Sequence, residues 1–100
     1  MKILALEKEL GNLPDEAYEP YLKDEALKAW DLYQKGIIRE LYFRGDREEA
    51  VLILECSGID EAREYLNGLP LVKNKLIEFD IIPLVPYPGF ERLFVENKII

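Results

Sequence analysis

The sequence of 100 residues contains no histidine and only one cysteine, Cys56. A disulfide within one chain is therefore impossible, and a zinc site built from Cys and His ligands is excluded. No histidine is available to activate Cys56 as a nucleophile. We therefore predict that Cys56, at the end of a strand, is a small buried hydrophobic residue, and we predict neither a metal nor a cofactor.

Basic residues are also scarce. Thirteen Lys and Arg stand against 20 Asp and Glu, which gives a formal charge of −7. The basic residues are scattered, and a chain this acidic repels phosphate backbones, so nucleic acid is excluded as a partner. No apolar run approaches the roughly 20 residues that span a bilayer. The opening MKILALE is too short and too soon acidic for a signal peptide, so we expect a cytoplasmic protein without a membrane partner.

What the sequence has is a large apolar fraction, 49% of its residues, which is enough to build a core. The length predicts one domain over residues 1–100, with 86–100 as a C-terminal tail or arm. Runs rich in β-branched and aromatic residues predict strands, and Gly36 is a good C-terminal stop for a helix. The predicted elements alternate as strand, helix, strand, strand, helix and strand, over residues 2–7, 20–35, 37–44, 50–56, 57–68 and within 67–84.

This βαββαβ order is that of the ferredoxin-like α+β fold, an antiparallel sheet with two helices on one face. The uncovered face should then be polar, but the strands carry large apolar residues on both faces. In AVLILEC, for example, Val51 and Ile53 oppose Leu52 and Leu54. Something must cover such a face, because monomers rarely expose apolar patches of this size. We predict a homodimer packed sheet to sheet, with the tail folding back over its own sheet as the alternative.

Two charged residues interrupt the apolar pattern. Glu25 falls on the helical stripe of Leu22, Ala29 and Leu32, and strict alternation puts Arg39 on the same strand face as its apolar neighbours. If that face looks at the helix, the two side chains meet across a pocket. A carboxylate acid/base beside an arginine that holds an anionic substrate is one interpretation. An ion pair at the edge of the core is the other.

Further candidates are aromatic or acidic. An apolar ligand pocket is predicted from Tyr42, Trp30, Tyr33 and Phe43, which could equally be plain core residues. The pair Glu78 and Asp80 shares one face of the last strand. Paired carboxylates can bind metal or exchange protons, but solvated edge charges or interface partners are the interpretation we favour here.

Two segments, LKDEALKAWDLYQKGIIRELYFRG and YLNGLPLVKNKLIEFDIIPL, carry a resemblance to a known family. They resemble the muconolactone Δ-isomerase-like family of dimeric α/β barrels over about residues 20–84. The shared pattern comprises a Glu in the first helix, a Gly at its end, Arg-x-Leu-aromatic, Leu-Pro-Leu and an Ile-Glu strand. In this chain these are Glu25, Gly36, Arg39, Leu41, Tyr42, Leu69, Pro70, Leu71, Ile77 and Glu78.

The resemblance implies a homodimer, sometimes gathered into larger rings, and a cofactor-free isomerase that moves a double bond in a small anionic lactone. Glu25 would then be the base and Arg39 the carboxylate anchor. The histidines of the family are absent, and Glu40 and Tyr87 stand in their places. Two other functions remain open: a non-catalytic dimeric module that binds a small ligand, and a purely structural oligomer. The fold also hosts haem proteins, for which only Tyr or Cys ligation would be available here.

Overall fold

A computed structural model describes residues 1–95 of the chain. Its main elements are four strands and three helices. In chain order they are β1 (Lys2–Glu9), α1 (Glu19–Gln34), β2 (Ile38–Phe43), β3 (Ala50–Glu55), α2 (Ile59–Leu66), α3 (Pro70–Lys73) and β4 (Ile77–Pro83). Two short 3-10 turns accompany them, at Asp15–Ala17 and Gly89–Leu93. The predicted element order is confirmed, with α3 as an addition.

The four strands form one antiparallel sheet in the order β2-β3-β1-β4. This order, with the helices packed against one face, is the ferredoxin-like α+β arrangement predicted above. The central strands β1 and β3 pair from Lys2 opposite Glu55 to Leu6 opposite Val51. Strands β2 and β4 are the edges of the sheet among the described residues.

The core lies between the helices and the inner face of the sheet. Residues that alternate along β1 and β3 are fully or nearly fully buried there, as the period of two requires. Leu32 of α1 and Leu66 of α2 pack onto them from above. The largest fully buried side chains are Ile3, Leu32, Ile38, Leu54, Leu66 and Ile77. Cys56 belongs to this core, as predicted, and burial raises the pKa of its thiol.

A register shift in β2 corrects the predicted faces of that strand. Ile38 pairs with Leu54 and Glu40 pairs with Ile53, so Arg39 is the extra residue of a β-bulge. The bulge turns Ile38 into the core, on the same inner face as the more exposed Leu41 and Phe43, instead of onto the opposite face. Arg39 therefore does not share an inner face with Leu41, as strict alternation had predicted.

The segment between α2 and β4 holds a second correction. The sequence predicted Leu-Pro-Leu as a step between the second helix and the last strand, but Pro70 begins the one-turn helix α3 there. Proline suits the first position of a helix because its missing N–H has no intrahelical partner there. Leu71 is buried by this turn, which packs against α1. The strand starts only at Ile77, after Lys75 with its positive φ of 62°.

The outer face of the sheet carries a continuous apolar surface, called here the outer patch. Its members form two neighbouring rows of paired residues. They are Leu4, Leu6, Tyr42, Val51, Ile53 and Ile82. Glu78 and Asp80 lie at the margin of this face, where Lys8 Nζ is 3.0 Å from Asp80 Oδ1. Both acids are exposed, in agreement with their interpretation as edge charges.

The C-terminal segment does not fold back over the sheet in the part that the structure describes. Its large apolar side chains between residues 85 and 95 are 62–82% exposed. The rings of Tyr87 and Phe90 pack edge to face, with their centroids 5.1 Å apart. The molecule measures 67 × 29 × 20 Å, long for a chain of this size. The predicted arm also includes residues 96–100, which lie outside the described residues.

Candidate functional site

A cavity of about 650 Å³ opens between α1 and the inner face of the sheet. Its walls are mainly apolar, and its residues come from α1, α3, all four strands and the turns that adjoin them. The apolar part consists of Leu22, Ala26, Ala29, Leu41, Phe43, Ala50, Leu52, Leu69, Leu71 and Phe79. The volume lies within the range typical of small-molecule sites. A smaller depression beside the start of α2 contains none of the predicted site residues.

Glu25 lines this cavity from α1, as predicted from its place on an otherwise apolar stripe. The side chain is half-buried, and its Oε1 accepts a hydrogen bond from the Leu71 backbone N–H at 2.9 Å. That N–H belongs to the first turn of α3, where helical N–H groups lack intrahelical acceptors. The short helix that the sequence did not predict thus fixes the orientation of Glu25.

Burial raises the pKa of Glu25, because the ionised form loses hydration inside the cavity. The Leu71 hydrogen bond opposes this shift but does not cancel it. Among residues 1–95 no lysine or arginine lies within ion-pair distance of the carboxylate. Glu25 is therefore a carboxylate whose basicity exceeds that of a solvated glutamate.

A second half-buried carboxylate, Glu7, lines the same cavity from β1. The Ala50 backbone N–H donates to its Oε1 at 3.0 Å. Burial is the largest cause that raises the pKa of Glu7, and repulsion from Glu49, Glu25 and Glu9 adds to it. Sequence reasoning missed this residue. Its signal was the strand period, which places Glu7 on the same face as the buried Ile3 and Ala5.

Arg39 does not approach Glu25. It is exposed on the bulge of β2, its Nε donates to the Gly36 carbonyl oxygen at 2.6 Å, and it is not part of the cavity wall. The predicted meeting of Glu25 and Arg39 across a pocket is thus not observed, because the bulge turns Arg39 away from the inner face. In this geometry the arginine caps the turn at the end of α1.

The four predicted aromatic residues divide into two groups. Phe43 lines the cavity, and Tyr42 borders it while its hydroxyl donates to Glu40 Oε1 at 2.9 Å. Trp30 and Tyr33 lie outside the cavity wall. They stack on each other along the solvent side of α1, with ring centroids 5.8 Å apart. Neither is core, since they are 54% and 49% exposed.

Metal ligation finds no support in the described residues. Within residues 1–95 no three side chains of His, Cys, Asp or Glu converge in a way that could hold a metal ion. In the same part of the chain, no helix is both long and apolar enough to cross a membrane.

Comparison with known proteins identifies the fold. No protein-family model matches the sequence, and no curated protein matches it. A solved structure of muconolactone isomerase superimposes with a TM-score of 0.72, covering 89% of this chain and 93% of that chain. The two sequences are 16% identical over the match, so the likeness establishes a common fold. The resemblance to this family that the sequence indicated is therefore confirmed for the fold.

Proposed function

We propose that the chain is a cofactor-free enzyme that moves a proton within a small molecule bound between α1 and the sheet. One observation carries the proposal. Glu25 is a half-buried carboxylate without a cationic partner among the described residues, held by a backbone N–H at the wall of an apolar cavity. A carboxylate with a raised pKa in such a place is suited to general-base work near neutral pH.

The proposed step uses Glu25 as the base. Its carboxylate takes a proton from a carbon next to a carbonyl group, and the C–H electrons pass into the adjoining unsaturated system. The resulting carboxylic acid then returns the proton to a different carbon, which moves a double bond without net gain or loss of atoms. Apolar walls favour this step because they reduce the hydration of the carboxylate.

Glu7 is the second participant that we propose. Its half-buried carboxyl group lines the same cavity and feels the charge of Glu25. When two such groups interact, one retains its proton to a higher pH than the other. Glu7 then helps to hold the substrate in the cavity while Glu25 acts as the base. The resemblance implies that Arg39 anchors an anion. That role stays a prediction, and Arg39 is not part of the cavity wall.

The test is hydrogen exchange on small carbonyl compounds in D₂O, followed by proton NMR. A panel of cyclic ketones and lactones is incubated with the wild type, Glu25→Gln and Glu64→Gln. Glu64 is an exposed acid on α2, and its variant removes the same charge far from the cavity wall. We expect Glu25→Gln to slow exchange by roughly 10²–10⁴-fold, the usual contribution of a general base. Equal rates in Glu25→Gln and wild type, with circular dichroism showing both folded, would refute the base.

A second function is favoured by the openness of the cleft. Leu22 of the cavity wall is 49% exposed, whereas catalytic sites commonly close to exclude water. The alternative is a non-catalytic module that binds a small apolar ligand in the same place. It is distinguished by a ligand that raises the melting temperature in a saturable way and is recovered unchanged.

We further propose that the chain works as a homodimer in the cytoplasm. The outer patch supports the dimer, because a row of apolar residues on an uncovered sheet face is otherwise left in water. The exposed apolar side chains between residues 85 and 95 are available to reach across to a partner. Larger assemblies built from such dimers are compatible with the same surfaces.

A further inference from the structure

All the ionisable groups that could hold or repel a charged ligand in the cavity are of one sign. The wall contains six carboxyl side chains and, among the described residues, no lysine or arginine. They are Glu7, Glu9, Asp15, Glu19, Glu25 and Glu48. The other ionisable side chain there is Tyr18, whose hydroxyl donates to Glu9 Oε2 at 3.0 Å; Tyr42 borders the cavity from the outer face and donates its hydroxyl hydrogen to Glu40. The cavity is thus an acidic site with an apolar floor.

The two half-buried acids also have hydrogen-bonding capacity to spare. Glu7 and Glu25 each accept one backbone N–H through Oε1, and no other hydrogen bond to either side chain occurs among residues 1–95. A buried carboxylate without a cation is costly, and a bound cation relieves that cost. A bound anion would add repulsion to groups that already repel one another.

We propose that the ligand of this cavity is a small molecule with an apolar body and one protonated amine, not an anion. The inference rests on the proposed function in taking this cavity as the site, and it specifies the charge of the molecule that binds there. The ammonium group lies against the Glu7 and Glu25 carboxylates, and the apolar body packs against the floor formed by residues such as Leu52 and Phe79. Selection is electrostatic, because ammonium and carboxylate headgroups on the same body have opposite interactions with the wall.

Three probes of nearly equal shape test the charge preference. They are 2-phenylethylamine as the cation, 2-phenylethanol as the neutral compound and phenylacetate as the anion. Each is titrated into ¹⁵N-labelled protein at neutral pH, and the amide signals of Ala50 and Leu71 are followed. These two N–H groups donate to the two carboxylates, so their shifts report binding at the site itself.

We expect the amine to shift both amide signals in a saturable way, the alcohol to bind more weakly and phenylacetate not to shift them. Glu7→Gln and Glu25→Gln are each expected to weaken amine binding by about tenfold, while alcohol binding changes little. Glu64→Gln is the matched control, because it lowers the acidic charge by the same amount away from the cavity. It should leave amine binding unchanged, which separates a local effect from attraction by the net charge.

The proposal is overturned if phenylacetate binds as tightly as the amine, or if the amine fails to shift the two amides up to its solubility limit. Amine affinity that is unchanged in both glutamine variants overturns it as well. These outcomes are separable from the failure of the catalytic proposal. Amine binding without any dependence of exchange on Glu25 refutes catalysis alone. Exchange that depends on Glu25, combined with preferred binding of phenylacetate, refutes the ligand class alone.

Discussion

Glu7 and Glu25 are two acids whose folded environment disfavours their ionised forms. In each case burial is the largest cause of the raised pKa, and a single backbone hydrogen bond offsets it in part. Such an arrangement weakens the fold at neutral pH, since the chain must keep charge where water is scarce. A carboxyl group with a raised pKa beside a cavity is a candidate for catalysis or ligand binding, which agrees with the proposed roles.

A pH-dependent effect on stability follows for Glu25. The ordinary pKa of the group, 4.5, applies to the unfolded chain, and the folded pKa is higher. Between these two values the folded chain holds more protons, so its stability falls as the pH rises. Glutamine can still accept the Leu71 N–H but never ionises. We therefore expect Glu25→Gln to exceed wild type in free energy of unfolding at pH 7, and this advantage to vanish well below pH 4.5.

Urea unfolding across this pH range measures the effect, with Glu64→Gln as the exposed control. The control should show no comparable gain at pH 7. A Glu25→Gln variant that is less stable than wild type at pH 7 would contradict the destabilising effect of ionised Glu25. So would a variant whose free energy of unfolding differs from that of wild type by the same amount at low and at neutral pH.

The candidate site could be predicted in part from individual residues. Glu25 was found because a carboxylate on an apolar helical stripe is conspicuous at 100° per residue. Glu7 was missed because an acid near the end of a strand resembles an ordinary solvated terminus. Arg39 was placed on the wrong face because alternation counts residues evenly, and a bulge inserts one that only strand pairing reveals.

At the scale of elements, the connection from α1 to β2 depends on one backbone conformation. Gly36 follows the helix with φ of +76°, in the left-handed region that glycine adopts without steric cost. An added Cβ would approach only the Arg39 guanidinium, at 3.8 Å or more. The requirement for glycine is therefore conformational and does not come from crowding.

We expect Gly36→Ala to lower the free energy of unfolding by about 1–2 kcal/mol, the cost of the left-handed conformation for a residue with a Cβ. Gly45→Ala is the matched control, since Gly45 has no positive φ and nothing lies within 4 Å of its added Cβ. Urea denaturation of both variants measures the difference. Equal decreases in the free energy of unfolding of the two variants would show that the left-handed conformation at position 36 does not require glycine.

The order and type of the predicted elements came from signals that act over a few residues. Strand runs and the stop at Gly36 are both local. The one-turn helix at Pro70–Lys73 escaped prediction because an apolar Leu-Pro-Leu-Val run also fits the approach to a strand. This turn packs against α1, which is distant in the sequence. A reading of neighbouring residues alone could not reveal that contact.

For the whole molecule, the question is what covers the outer patch. Ile53 lies near its middle, paired with Leu4 on one side and Glu40 on the other. A charge placed there would have to be buried in a sheet-to-sheet dimer. We expect Ile53→Asp to weaken self-association by roughly thirtyfold or more, the effect of losing a central contact residue.

Sedimentation equilibrium of wild type and variant measures this change. Leu27→Asp is the control, because Leu27 is 65% exposed on α1, away from the sheet. It should associate like the wild type. A wild-type chain that stays monomeric at micromolar concentration would refute the dimer, as would an Ile53→Asp variant that dimerises normally. Circular dichroism establishes that the variant is folded.

The stacking of Trp30 on Tyr33 at the solvent side of α1 has a spectroscopic consequence. Trp30 is the only tryptophan of the chain, and about half of its side chain is already in water in the folded monomer. Its fluorescence emission then differs little between the folded and unfolded chain, which makes the indole a poor reporter of unfolding. The same exposure makes it sensitive to anything that covers α1. Far-ultraviolet circular dichroism is accordingly the better signal for denaturation, and tryptophan emission the better signal for contacts at that helix.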